Sequence, residues 1–302
     1  MIGIIGSGNV GANTAFFLAE KGVDHILLFD IQDGMAQGKA LDMMEAAPIR
    51  GYRTSIKGTD NPVDILDCDI IIITAGAVRK PGMKRDALFQ ENRKIIEDYA
   101  LKIKNRDTKV IIVSEPVDPL TALFASKSDL PSNQVIGLGG VLDATRLKYL
   151  IANELGVSME NVAAQVVGRH TDSMILLKKY CCVSGISLEN FMTSKKIENL
   201  FDQTKNAGAL IVNLAGRASA YYGPSAVAAE LAEAICLDSG CIMSVSQVLS
   251  GQFGIKKAAL SLPSVIGKKG ILRTIEPKLT KKEVGILQAS AKGITQILKE
   301  TD

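Results

Sequence analysis

At 302 residues the chain exceeds the usual single-domain range, and a composition 47% hydrophobic and 22% charged is that of a folded α/β protein, not a disordered or fibrous one. Its 35 basic and 32 acidic residues leave a formal net charge of +3, too weak a field for nucleic acid, and no run reaches the ~18 apolar residues of a membrane span. The five cysteines (Cys68, Cys181, Cys182, Cys236 and Cys241) are odd in number and lack CxxC spacing, so no metal site or disulfide framework is expected; with a strand-like start and no signal peptide, the expected setting is a reducing cytoplasm.

The first element is the apolar strand Ile2–Ile5, followed at once by Gly6-Ser7-Gly8-Asn9-Val10-Gly11 and the helical run Val10–Lys21. In this strand-to-helix context each glycine has a task. The first allows a tight turn, the second lets backbone approach a pyrophosphate, and the third lets helix and strand pack closely. The helix N-terminus offers free N–H groups to the anion. A second strand, Ile26–Phe29, ends at Asp30, where a carboxylate can accept from both ribose hydroxyls and would repel a 2′-phosphate. Residues 31–33 supply no arginine to offset it, so the cofactor expected is NAD and not NADP.

Further strand-length apolar runs at Ile70–Thr74, Val110–Val113 and Val135–Ile136 alternate with helical segments. Continuous Ile and Val, without alternation, marks strands buried on both faces of a parallel sheet. The first of these runs leads into Arg79-Lys80-Pro81-Gly82-Met83-Lys84-Arg85, a cationic loop with a Pro-Gly hinge. Loops leaving the carboxyl edge of such a sheet surround the ligand, so this one can close over an anion; a solvated basic loop is the plainer alternative.

From about residue 142 long helical stretches take over, among them Asp143–Leu155 and Asn206–Leu237, with short strand-like runs at Met174–Leu177 and Ala258–Leu262. A final helix over Thr280–Leu298 opens with Thr280 and Glu283 spaced as a capping box. The expected fold is therefore a doubly wound parallel sheet over 1–141, of the Rossmann type, followed by an α+β catalytic domain over 142–302.

Only two histidines can serve as an acid/base, His25 and His170. His25 enters the second strand and reads as surface or packing. His170 lies in Gly168-Arg169-His170-Thr171-Asp172-Ser173, where an apolar run gives way to a polar turn. Asp143 and Arg146, three apart on one helix face, can meet it: a carboxylate raises the imidazole pKa and fixes its tautomer, and an arginine fork binds a substrate carboxylate. Taken alone, the pair reads first as an N-terminal helix acid with an unrelated arginine.

The order of GSGNVG, Asp30, the Arg79–Arg85 loop, Leu142–Arg146 and Gly168–Ser173 resembles that of the lactate/malate dehydrogenase family over nearly the whole chain. It looks most like the lactate dehydrogenase-like malate dehydrogenases, whose loop begins with arginine where lactate enzymes usually carry glutamine; Ala220-Tyr221-Tyr222-Gly223-Pro224 is similar to the malate-type segment near substrate. The resemblance implies reversible hydride transfer between (S)-malate and oxaloacetate with NAD, a place in the tricarboxylic acid cycle, and a homodimer or homotetramer. It further implies that His170 donates to the keto oxygen, Asp143 orients it, Arg146 grips the C1 carboxylate, Arg85 polarises the carbonyl and Arg79 pairs with the second carboxylate. Ser219 would join the substrate site, while Gly6, Ser7, Gly8, Asn9, Val10, Gly11, Asp30, Asn92, Val113, Ser114 and Glu115 would line the cofactor.

The chain departs from the family at Val113-Ser114-Glu115-Pro116, where asparagine usually stands at Glu115, and at Arg169 and Thr171 around the histidine. A glutamate only accepts, and it brings negative charge beside an anionic substrate. One expectation is that Glu115 and Arg169 form a compensating pair. The alternatives to malate oxidation are a lactate-type or other 2-hydroxyacid dehydrogenase and a catalytically impaired NAD-binding homologue.

Overall fold

The computed structural model describes residues 1–77, 85–105, 107–216 and 219–300. Its first half alternates strand and helix: β1 (Ile2–Ile5), α1 (Asn9–Lys21), β2 (Ile26–Phe29), α2 (Met35–Arg50), β3 (Ile56–Thr59), β4 (Ile70–Ile73), α3 (Arg85–Lys102), β5 (Lys109–Ile112), α4 (Val117–Lys127) and β6 (Val135–Gly137). The strands pair in parallel in the order β3-β2-β1-β4-β5-β6. Every residue of β1 and β4 is buried, because helices cover both faces. The order reverses between β1 and β4, which opens a crevice at their carboxyl ends where ligands of such sheets bind.

The second half begins with α5 (Gly140–Leu155), so the expected division between 141 and 142 falls in its first turn. Short strands follow: β7 (Val162–Ala163), β8 (Val166–Val167), β9 (Ile175–Leu176), β10 (Cys182–Val183) and β11 (Ile186–Ser187). Then come α6 (Ser194–Ala215), α7 (Tyr222–Cys236), the long antiparallel strands β12 (Cys241–Ser250), β13 (Lys256–Gly267) and β14 (Gly270–Thr274), and α8 (Lys281–Lys299). β12 joins β6 antiparallel through Ser246 and Gly137, extending the parallel sheet to nine strands. The chain thus builds an α/β Rossmann sheet and then an α/β C-terminal portion.

Two sequence expectations change here. Asn206–Leu237 is not one helix. It breaks after Ala215, and Pro224 occupies the third position of α7, where its missing N–H is one of the unpaired first-turn groups; farther into a helix it would clash with the preceding turn. β3 and β12 were both unanticipated. The capping box on α8 forms as expected: the Glu283 N–H donates to Thr280 Oγ1 at 3.3 Å, and the Thr280 N–H donates to Glu283 Oε2 at 2.6 Å.

The two halves share their core. α7 packs on α1 through Val227, Ala228 and Leu231 against Ala15 and Leu18, and Ser225 Oγ donates to the Val10 carbonyl at 2.9 Å. α8 covers the other side, placing Leu287, Ala291 and Ile294 with Leu260 and Leu262 of β13.

Candidate active site

The glycine loop lies at the carboxyl end of β1. A Cβ on Gly11 would stand 1.8 Å from the Gly6 carbonyl oxygen and 2.8 Å from Thr74 Oγ1, so only glycine lets α1 approach the strand this closely. Around Gly8 the reverse holds: a Cβ would meet nothing within 4 Å, and the open space lies over a helix N-terminus that no side chain caps. Orphan N–H groups facing a space bordered by glycine suit an anion.

Asp30 closes the far side of this loop. Its Oδ2 accepts from the Ser7 N–H and Ser7 Oγ, each at 2.7 Å, and its Oδ1 accepts from the Gln32 N–H at 3.1 Å. Burial works to raise its pKa, but these donors and the nearby Lys39 charge outweigh it and hold the carboxyl below its ordinary value. Lys39 Nζ donates to the Ser7 carbonyl at 2.5 Å, so α2 supplies a cation that residues 31–33 lack.

Beyond β5, Ser114 Oγ lies 2.6 Å from the Ala75 carbonyl and 3.2 Å from that of Ile73. Val113 beside it is partly buried against the core. Asn92 is 1% exposed and staples two loops: its Oδ1 accepts the Ala77 N–H at 2.7 Å and its Nδ2 donates to the Glu115 carbonyl at 2.6 Å.

The second cluster centres on His170. Asp143, 1% exposed near the start of α5, presents Oδ2 to the imidazole Nδ1 at 2.6 Å, while its Oδ1 lies 3.5 Å from Arg146 Nη1. Arg146 rests against Gly208 of α6. Glu115 Oε1 lies 3.3 Å from Nε2, and Asp118 Oδ2 accepts the His170 backbone N–H at 2.7 Å. Burial opposes the imidazolium, but the charges of Asp143 and Glu115, the Asp143 hydrogen bond and the Asp118 charge together push its pKa up to about 9. A charged donor is thus held over neutral pH beside a guanidinium, an arrangement that can protonate an oxygen while binding a carboxylate.

Residues 1–137 match the family profile described as lactate/malate dehydrogenase, NAD binding domain, and residues 140–302 match its alpha/beta C-terminal domain. The chain belongs to the lactate/malate dehydrogenase family. A malate dehydrogenase from Heliobacterium modesticaldum is 38% identical over 302 residues, spanning 99% of this chain and 98% of that protein. The malate dehydrogenase of Aeropyrum pernix superposes with a TM-score of 0.94 at 38% identity, over 99% and 98% of the two chains. The lactate dehydrogenase of Eimeria maxima, solved with NADH and oxamate, gives 0.94 at 31% identity, over 99% and 93%.

As a lactate/malate dehydrogenase the chain uses NAD, and the open space at Gly8, the uncapped α1 and the Asp30 carboxylate fit that dinucleotide. Of the substrate residues expected from the sequence, Arg146 joins His170 and Asp143. Ser219 is half-buried just before α7, and among the described residues no hydrogen bond joins it to the cluster. Arg79 and the side chain of Arg85 lie outside the described residues. His25 is exposed at the start of β2, as expected.

The Glu115–Arg169 pair needs correcting: among the described residues no ion pair joins them. Glu115 reaches His170, whereas the Arg169 guanidinium lies against Gly293 of α8. The chain turns sharply at His170, where the Thr171 N–H donates to the Arg169 carbonyl at 2.7 Å, and Arg169 lies toward α8 while the imidazole meets Asp143 and Glu115. Sequence reasoning also missed Asp118 and Ser246. Asp118 is 2% exposed, with Oδ1 accepting from Ser246 Oγ at 2.6 Å, and burial lifts its pKa to about 6 against those hydrogen bonds.

Proposed function

We propose that the protein interconverts (S)-malate and oxaloacetate with NAD. The observation that carries this reading is the contact of Asp143 with His170 Nδ1 alongside Arg146, one turn on from Asp143 on the same helix face, since it brings an acid/base and a carboxylate fork to one cluster. The malate dehydrogenases of Heliobacterium and Aeropyrum, each 38% identical over nearly the full length, favour the dicarboxylate. When bound, the nicotinamide supplies or accepts the hydride. His170 protonates the keto oxygen during reduction and takes the proton back during oxidation, Asp143 stabilises the imidazolium, and Arg146 holds the C1 carboxylate. In the same reading Arg85 polarises the carbonyl, Arg79 pairs with the second carboxylate, and Ser219 completes the substrate pocket.

The dinucleotide lies along Gly6–Gly11 and Asp30, with Asn92 and Val113–Glu115 bordering the nicotinamide end. Residues 1–141 form the cofactor lobe and 142–302 the substrate lobe. The protein works in the cytoplasm, in the tricarboxylic acid cycle, as a homodimer or homotetramer. Exposed Leu41 and Ile49 on α2 and Leu210 and Leu214 on α6 are apolar surface available to such an assembly.

A second reading, reduction of a monocarboxylic 2-keto acid, is favoured by the equally good superposition of the Eimeria lactate dehydrogenase. A screen of oxaloacetate, pyruvate and longer 2-keto acids with NADH and NADPH separates the two. The highest kcat/KM is expected for oxaloacetate with NADH. Pyruvate in first place would overturn the dicarboxylate reading, and no turnover with any of them would overturn both.

A further inference from the structure

Each ring nitrogen of His170 faces a carboxylate, Nδ1 through a 2.6 Å hydrogen bond to Asp143 and Nε2 through a 3.3 Å charge contact with Glu115, and the two carboxylates are of unlike character. Asp143 is 1% exposed, carried on α5, with Arg146 behind it. Glu115 is 49% exposed. Its backbone carbonyl is pinned by Asn92 at 2.6 Å, while among the described residues its carboxylate has one further partner, accepting the Val117 N–H at 3.3 Å. One acid is a fixture; the other can rotate into solvent while its main chain stays in place.

Nε2 is the nitrogen left to meet substrate, because Nδ1 is taken by Asp143. The Glu115 carboxylate oxygen, 3.3 Å from Nε2, stands where a keto oxygen would have to come to receive the proton. A 2-keto acid anion approaching Nε2 also meets the Glu115 charge at close range, where repulsion is strong in a partly desolvated cleft. Substrate and the Glu115 carboxylate therefore compete for one position.

We propose that Glu115 is a displaceable latch on the proton-donating nitrogen of His170, closed in the substrate-free protein and swung to solvent when the 2-keto acid binds. The inference rests on the reaction proposed above. Because the latch opens before chemistry, it weakens substrate binding more than it slows turnover. It also helps keep the imidazole protonated. Among the described residues the charged groups that face that ring are Glu115, Asp118 from α4, and Asp143 and Arg146 from α5, while Arg169 of its own turn lies against Gly293; of the carboxylates contacting His170, Glu115 alone is half-exposed.

Two variants test the latch: Glu115→Gln removes the charge and keeps the shape, and Glu115→Asp keeps the charge but shortens its reach. With only two histidines in the chain, nitrogen-15 NMR of histidine-labelled protein follows His170 directly, with His25 as internal control. In Glu115→Gln the His170 pKa is expected to fall by about 1 unit while His25 stays put. For oxaloacetate reduction, KM should fall roughly tenfold with kcat changed less than about threefold, and the high-pH limb of kcat/KM should move down with the imidazole. Glu115→Asp should lower KM in the same direction.

An unmoved His170 titration in Glu115→Gln overturns the latch, and so does a KM that stays level or rises in both variants. If the unaltered protein reduces no 2-keto acid, the functional reading fails, and the His170 titration alone then decides whether Glu115 holds the ring.

Discussion

Asp118 holds the backbone of His170 and leaves the ring to other groups. Its Oδ2 accepts the His170 N–H at 2.7 Å, and its Oδ1 accepts the Ser246 hydroxyl at 2.6 Å. One buried carboxylate on α4 thereby ties the histidine turn to β12, on the far side of the chain. Its role is to position His170, since no described contact brings Asp118 to the imidazole nitrogens.

Asp118→Asn tests that role. The amide can accept from one of the two donors but directs its NH2 at the other, leaving a buried group unsatisfied at a cost of about 1–3 kcal/mol. Steady-state kinetics should give a kcat for oxaloacetate reduction lowered ~10- to 100-fold, with the Kd for NADH unchanged within about twofold. A large loss of NADH affinity would mean that Asp118 supports the whole cleft and not the histidine turn.

Gly8 and Gly11 separate binding from folding within one loop. A Cβ at position 8 enters open space, so Gly8→Ala should keep its Tm within about 2 °C yet bind NADH roughly tenfold or more weakly, because the methyl occupies the approach to the pyrophosphate. At position 11 the methyl would sit 1.8 Å from a backbone oxygen, so Gly11→Ala should unfold several degrees earlier. Thermal melts and NADH fluorescence titration read both. Equal melting losses in the two variants would contradict the assignment.

Much of this was legible in the sequence where a short segment carries its own reason for its shape. Ile2–Ile5 and Ile26–Phe29 are uniformly apolar because both faces are buried, and the glycine pattern sits where strand passes to helix. β3 was not legible: Ile56-Lys57-Gly58-Thr59 is an edge strand with one lysine and one glycine, and it owes its form to pairing with β2. β12 escaped because Ser244 and Ser246 are buried polar residues satisfied by partners far along the chain, Gln165 and Asp118. Asp118 was hidden for the same reason. Ser-Glu-Pro-Val-Asp-Pro reads as a turn, and its contact with residue 170 exists only after folding.

Arg79→Gln tests the choice of substrate. A guanidinium enclosed with a monocarboxylate has no anion to pair with, whereas the amide has no charge to compensate, so the ratio of kcat/KM for oxaloacetate over pyruvate should fall ~10- to 100-fold. An unchanged ratio would remove Arg79 from the substrate site.

The His170 pKa also predicts how stability depends on pH. In the folded protein it stands at about 9 against an ordinary 6.5, so the proton binds more tightly to the folded than to the unfolded chain. A raised folded pKa contributes stability that is complete below pH 6.5 and lost as pH rises through about 9, on the order of 3 kcal/mol across the window. Asp118, raised from 3.8 to about 6, acts in the same direction but lower down: its contribution is complete below 3.8 and lost as pH passes 6, so it is constant where His170 titrates. Urea unfolding of the protein and of His170→Gln at pH 6, 7.5 and 9 isolates the histidine. The gap in unfolding free energy should move against the unaltered protein by a few kcal/mol between pH 6 and 9. Parallel curves would mean that the imidazole is not held charged by Asp143 and Glu115.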